Sequence, residues 1–123
     1  MKESLIKDKS FKFSIRIVKM SCHLRETKKE YIISKQVIRC GTSIGANVRE
    51  ALNAESKADF VHKLGIAQKE ADETLYWLEL LKETEYIDET SFISIHDDCT
   101  QLLKMIKSII LTTKQNLPQK NNS

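Results

Sequence analysis

Phe92, Ile95, Cys99, Leu102, Ile106, Ile109 and Thr113 are spaced alternately by three and four residues. That alternation keeps them on one face of an α-helix and would scatter them across both faces of a strand. A helix over 90–116 would be a rod of about 40 Å at 1.5 Å per residue. Asp88 to Ser91 supplies N-cap chemistry ahead of it. Leu103 and Ile110 lie on an adjacent stripe.

The same period recurs upstream. Phe60, Leu64, Ala67, Ala71, Leu75, Leu78 and Leu81 form the stripe of a helix over 56–84, opened by Ser56 with Asp59 three residues on. Val37, Gly41, Ile44, Val48 and Ala51, with Cys40 beside them, form the stripe of a helix over 34–53. Ser34 is the expected cap, which leaves "KKEYII" as a connection. The first helix, 8–27, has two apolar lines. Phe11, Ile15, Val18 and Cys22 are taken as its core line. Phe13, Ile17, Met20 and Leu24 form the other. Residues 117–123 are expected to be a disordered tail. Only one proline and three glycines interrupt 123 residues, so little breaks these helices. Four long helices with short links predict one domain: an all-α, up-and-down four-helix bundle.

Gly41 and Gly45 each cost a helix interior about 1 kcal/mol against alanine. They lie one turn apart, so their missing side chains would let another helix approach closely. A phosphate loop is the competing reading. It needs a preceding strand, a wider glycine spacing and a following lysine, and none is present.

Charge is uneven. Residues 1–60 carry 13 Lys/Arg against 7 Asp/Glu, a net of +6, and residues 61–123 carry 7 against 10, a net of −3. Lys7, Lys9, Lys12, Arg16, Lys19, Arg25, Lys28 and Lys29 crowd the first quarter. Such a region can be a solvated helix face or can attract a phosphate backbone. Arg16, Lys19, Arg25, Lys35, Arg39 and Arg49 are the candidate nucleic-acid contacts.

Catalytic constellations are sparse. Cys22, Cys40 and Cys99 are far apart in sequence and each falls in an apolar register, which favours buried reduced thiols over a zinc site or disulfide framework. Asp59 and His62 have the spacing of one carboxylate–histidine ligand pair, and a di-iron bundle would need a second. No metal ligand, catalytic residue or cofactor is assigned. Arg39, Asn47, Glu50, Glu70 and Glu73 are read as a polar network linking the second and third helices. No apolar run reaches the ~18 residues of a membrane span, and "MKESLIKDKS" lacks the apolar stretch of a signal peptide, so a cytoplasmic location without membrane contact is expected.

"SKQVIRCGTSIGANVREA" and "FVHKLGIAQKEADETLYWLELLKETEYI" together resemble the four-helix-bundle family of proteins encoded in intervening sequences of 23S ribosomal RNA genes. That family is related to the accessory variability determinant of diversity-generating retroelements. Gln36, Arg39, Ser43, Ile44, Ala46, Asn47 and Glu50 fall in the family's order and spacing, with Gly41, Gly45 and Glu73 as further structural positions. The chain departs from many members at Gly45, where they carry Pro, and at Ile38, where they often carry Arg. The resemblance covers about residues 11–112. It implies an all-α bundle, a ring-like homo-oligomer, often a pentamer, and association with RNA or DNA.

The expected function is therefore a non-catalytic homo-oligomeric scaffold, binding nucleic acid or a nucleoprotein partner through a basic surface, with no small-molecule substrate. The alternative is a metal-dependent or hydrolytic enzyme with a site inside the bundle. The apolar residues left over from four core stripes predict an interface between copies. Phe13, Ile17, Met20, Tyr76, Trp77 and Leu80 are assigned to it.

Overall fold

The computed structural model describes residues 2–116, with side chains from residue 5 onward. Four helices make up this region: α1 (Lys2–Glu26), α2 (Ile33–Leu52), α3 (Lys57–Glu83) and α4 (Glu89–Gln115). The expected tail, 117–123, lies outside the described residues. α1 begins well before residue 8, because "KESLIKD" contains no helix breaker.

Each helix packs against its neighbours in sequence, and α1 also packs against α4; among the described residues the diagonal pairs face each other only across the core, without close backbone approach. Residue pairings give the directions. Going along α1, Ser10 lies against Gly45, Ile17 against Gly41, and Ser21 against Ser34. Glu50 meets Lys63 while Arg39 meets Glu70. Glu79 meets His96 while Ala71 meets Cys99. Arg16 meets Asp98, and Leu5 shares a cavity with Met105 and Ile109. Index rises on one helix as it falls on the other in every pair, so all four contacts are antiparallel and the bundle runs up and down.

The core is aliphatic. Val37, Ile44 and Val48 of α2, Leu64, Ala71 and Leu78 of α3, and Ile95, Leu102 and Ile106 of α4 are buried in one cluster. These are the stripes read from sequence for those helices. α1 corrects the reading. Its buried line is Ile6, Ser10, Phe13, Ile17, Ser21 and Leu24, whereas Phe11, Ile15 and Val18 are 50%, 41% and 40% exposed. The buried line includes two serines, whose small side chains suit the glycine face of α2.

That glycine face is where α1 approaches closest. A Cβ on Gly41 would lie 2.8 Å from Cγ1 and Cγ2 of Ile17, and one on Gly45 would lie 3.2 Å from the carbonyl oxygen of Ser10. Close packing therefore accounts for both glycines. Gly65 has nothing within 4 Å of that position.

The turns are built from side chains that the sequence names only in part. Ser56 accepts from the Asp59 N–H at 3.0 Å and Asp88 from the Ser91 N–H at 2.7 Å, as expected for N-caps. Ser34 does not cap α2. It is buried inside the helix, and its hydroxyl donates to the Glu30 carbonyl at 2.8 Å. Glu30 does the capping from ahead of the helix: its carboxylate accepts N–H bonds from Ile32, Ile33 and Ser34 at 3.0, 2.9 and 2.7 Å. Burial pushes this carboxyl up, but the N–H groups of Ile33, Ser34 and Ile32 together outweigh it and hold it below its ordinary range. α3 ends in a Schellman arrangement, with Tyr86 N–H bonded to Leu81 O and Glu85 N–H to Lys82 O. Glu85 takes the left-handed φ of 66° that glycine ordinarily supplies there.

Candidate macromolecular interface

The six basic residues singled out from sequence do not form one patch. Arg16 on α1 grips Asp98 of α4 at 2.5 Å and donates to Ser94 at 3.0 Å. Arg39 on α2 spans two α3 carboxylates, Glu70 at 3.3 Å and Glu73. Both arginines are committed within the protomer. Lys19, Arg25, Lys35 and Arg49 pair with no carboxylate among the described residues.

The basic side chains around α1 occupy two flanks of it. Lys9, Lys12, Arg16, Lys19 and His23 follow three–four spacing and form one row on the α4 side, and all but Arg16 are exposed. On the α2 side, Arg49 stacks over the Phe11 ring at 5.0 Å. Arg25 lies at the other end of that seam, where its Nε donates to the Ser21 carbonyl at 3.4 Å. Lys35, Thr42 and Arg49 are seven residues apart in turn, so they share one line of α2 facing the seam.

The motif residues of α2 divide by direction. Gly41 and Gly45 face α1. Arg39 and Glu50 face α3, where Glu50 accepts from Lys63 Nζ at 3.1 Å. Ser43 donates to the Arg39 carbonyl at 2.6 Å and Asn47 Nδ2 to the Ser43 carbonyl at 2.8 Å. The network expected between α2 and α3 therefore holds for Arg39, Glu50, Glu70 and Glu73, while Asn47 turns back onto its own helix. Gln36 is half-buried. These pairs are solvent-exposed, and each contributes at most about 1 kcal/mol.

The residues assigned to a copy–copy interface also divide. Phe13 and Ile17 are 2% and 0% exposed. They are core residues of the protomer and leave nothing for a second chain; the correction follows from the rotated face of α1. Met20 is partly buried against the core. Trp77 is held in place by its own protomer, packing on the core and donating Nε1–H to Glu73 at 3.0 Å. Tyr76 is 58% exposed and meets Trp77 edge-on at 5.0 Å. Leu80 is half-buried. The exposed apolar stripe is the one first taken for core: Phe11, Ile15 and Val18, continued by the half-buried Cys22. Sequence reasoning missed it as a surface because α1 carries two apolar lines of similar strength, and periodicity does not say which one faces inward.

A groove of about 810 Å³ lies between α1 and the α3–α4 turn, with Lys19, His23 and Lys28 on one wall and Glu85, Asp88 and Glu89 on the other. Arg16 and Lys82 also line it, so the groove carries both signs of charge. Among the described residues, no group of three or more His, Cys, Asp or Glu is placed to hold a metal ion. Burial pushes the Cys99 thiol up to about 12 and raises that of Cys40, which disfavours the nucleophilic thiolate at both. No helix of the described region is long and apolar enough to cross a membrane.

A family model described as 23S rRNA-intervening sequence protein matches residues 2–108. A crystal structure from Bacteroides thetaiotaomicron, of a protein with unknown function from the S23 ribosomal protein family, superposes with a TM-score of 0.88. It is 54% identical, over 89% of this chain and 98% of that one. No curated protein matches the chain.

Proposed function

The chain belongs to the 23S rRNA-intervening sequence protein family, and from that premise we propose that it is a non-catalytic helical scaffold that binds nucleic acid along the exposed flank of α1 and assembles with copies of itself. The observation that carries the reading is the row Lys9, Lys12 and Lys19. These lysines are exposed, share one side of α1, and pair with no carboxylate among the described residues. Unpaired lysines in a line about 15 Å long suit a phosphate backbone, which needs charge at intervals and no base-specific contact. Arg16, in the same row, is held by Asp98 and contributes less. The ribosomal names of the matching family and of the similar structure make structured RNA the first ligand to try. A ring of five is the assembly proposed, following the sequence resemblance.

The test is binding of structured RNA and of duplex DNA across a salt series. Replacing Lys9, Lys12 and Lys19 together with Gln should weaken binding at least tenfold for all sequences alike. It should also flatten the dependence of log K on log salt by about one unit for each lysine lost. Absence of binding at low salt, or binding indifferent to salt and to these substitutions, would overturn the proposal.

A further inference from the structure

The α1–α2 flank has the make-up of a protein interface rather than of a phosphate track. Phe11, Ile15 and Val18 form an exposed apolar strip. Beside it runs a shallow cavity of about 230 Å³ with a floor of small residues, lined by Phe11, Ser14, Thr42, Gly45, Ala46 and Arg49. Arg49 lines this cavity, and Arg25 and Lys35 lie farther along the same flank, beyond it. Neither the Phe11–Val18–Arg25 line nor the Lys35–Thr42–Arg49 line contains a carboxylate. An apolar centre with a charged rim is common interface anatomy, and the occupant must bring an apolar side chain flanked by acids.

The chain itself carries that complement. On α3, Asp72, Tyr76, Glu79 and Glu83 follow helical spacing, and all four are exposed, with Glu79 also 3.4 Å from His96 of α4. Tyr76 is the apolar anchor, braced by Trp77. The axial rise from Asp72 to Glu83 is about 16 Å, and that from Lys35 to Arg49 about 21 Å. Long arginine and lysine side chains span the difference. α1 and α3 lie diagonally across the core, with no close backbone approach among the described residues, so their outward faces cannot meet inside one protomer. We infer that the α1–α2 flank of one copy receives the outer face of α3 from the next. Arg25, Lys35 and Arg49 then face Asp72, Glu79 and Glu83, and Tyr76 enters the small-residue cavity. Because the two surfaces differ, the contact is head-to-tail, and it closes into a ring when its rotation allows. This rests on the self-association part of the reading above and is independent of its nucleic-acid part.

Charge reversal tests it. Arg25→Glu with Arg49→Glu forms one variant, and Glu79→Arg with Glu83→Arg the other. All four positions are exposed, and circular dichroism should show that both variants keep the helical fold. Light scattering should give a multi-subunit mass for the unaltered protein, the monomer mass for each variant alone, and recovery of larger species when the two are mixed. A monomeric unaltered protein, unaltered masses for both variants, or no recovery on mixing would overturn the inference. Salt-dependent RNA binding through Lys9, Lys12 and Lys19 should persist in the monomeric variants. If the unaltered protein is a monomer and the arginine variant loses RNA binding, the flank is a nucleic-acid surface instead.

Discussion

Ile17 packs directly on the bare backbone of Gly41, leaving 2.8 Å where a Cβ would need to sit. The clashing atoms are Cγ1 and Cγ2 of a fully buried isoleucine, not the far end of a flexible chain. Gly41→Ala should therefore destabilise, although alanine is the better helix former. Overpacking of this kind costs about 1–3 kcal/mol, and Gly41→Leu should stand at or above the top of that range. Gly65→Ala should change stability in the opposite direction, gaining up to about 1 kcal/mol in its open helix position. Urea denaturation of the three variants checks the signs, and an unchanged midpoint for Gly41→Leu would remove the close-packing account.

Helices α2, α3 and α4 were legible because their buried stripes are also their most apolar ones. α1 was not. Ser10 and Ser21 lie in its core line, Ser10 against the bare backbone of Gly45 and Ser21 against Ser34. Hydrophobicity alone does not separate Phe11, Ile15 and Val18 from Phe13, Ile17 and Leu24. A serine opposite a glycine carries no signal within one helix; it becomes readable only once the pairing of α1 with α2 is known. Two of the six basic candidates are engaged inside the protomer for a related reason. Arg16 and Arg39 find their carboxylates on other helices, Asp98 and Glu70, far away in sequence.

Glu30 should contribute stability at neutral pH that disappears in acid. Its carboxyl titrates below the ordinary 4.5 in the folded chain, so the unfolded state binds the proton first. The contribution is present above pH 4.5 and is lost as pH falls through the folded value. Glu30→Ala removes the acceptor for three N–H groups and should cost about 1–3 kcal/mol at pH 7. The gap between this variant and the unaltered protein should narrow as denaturation curves are taken down to pH 3. A gap independent of pH would exclude the capping carboxylate as its source.

Thiol chemistry should distinguish the three cysteines. Cys40 and Cys99 are fully buried with raised thiol pKa values. An aromatic disulfide reagent at pH 8 should titrate no more than one thiol, Cys22, in the native protein and all three in denaturant. Rapid native reaction of two or three thiols would show that the α2–α3–α4 core opens readily.

Glu85 occupies a left-handed turn position with a Cβ. Glu85→Gly should relieve a penalty of about 1–2 kcal/mol, offset in part by the greater freedom of glycine in the unfolded chain. A net gain of about 0.5 kcal/mol in thermal or urea unfolding is expected, and a loss would mean that the Glu85 side chain contributes contacts that outweigh the strain.

Three of the four helix contacts join segments adjacent in the chain, and only the α1–α4 contact spans its length. Each short turn can therefore zip up its own pair of helices before distant parts need to find one another, and little loop entropy opposes the early steps. A chain emerging N-terminus first can seat α1 on the glycines of α2 while α4 is still unmade. The outer strip of Phe11, Ile15 and Val18 is then exposed throughout synthesis, on a helix whose inner face is already committed. Chains synthesised side by side could meet through that strip before the last helix closes the bundle.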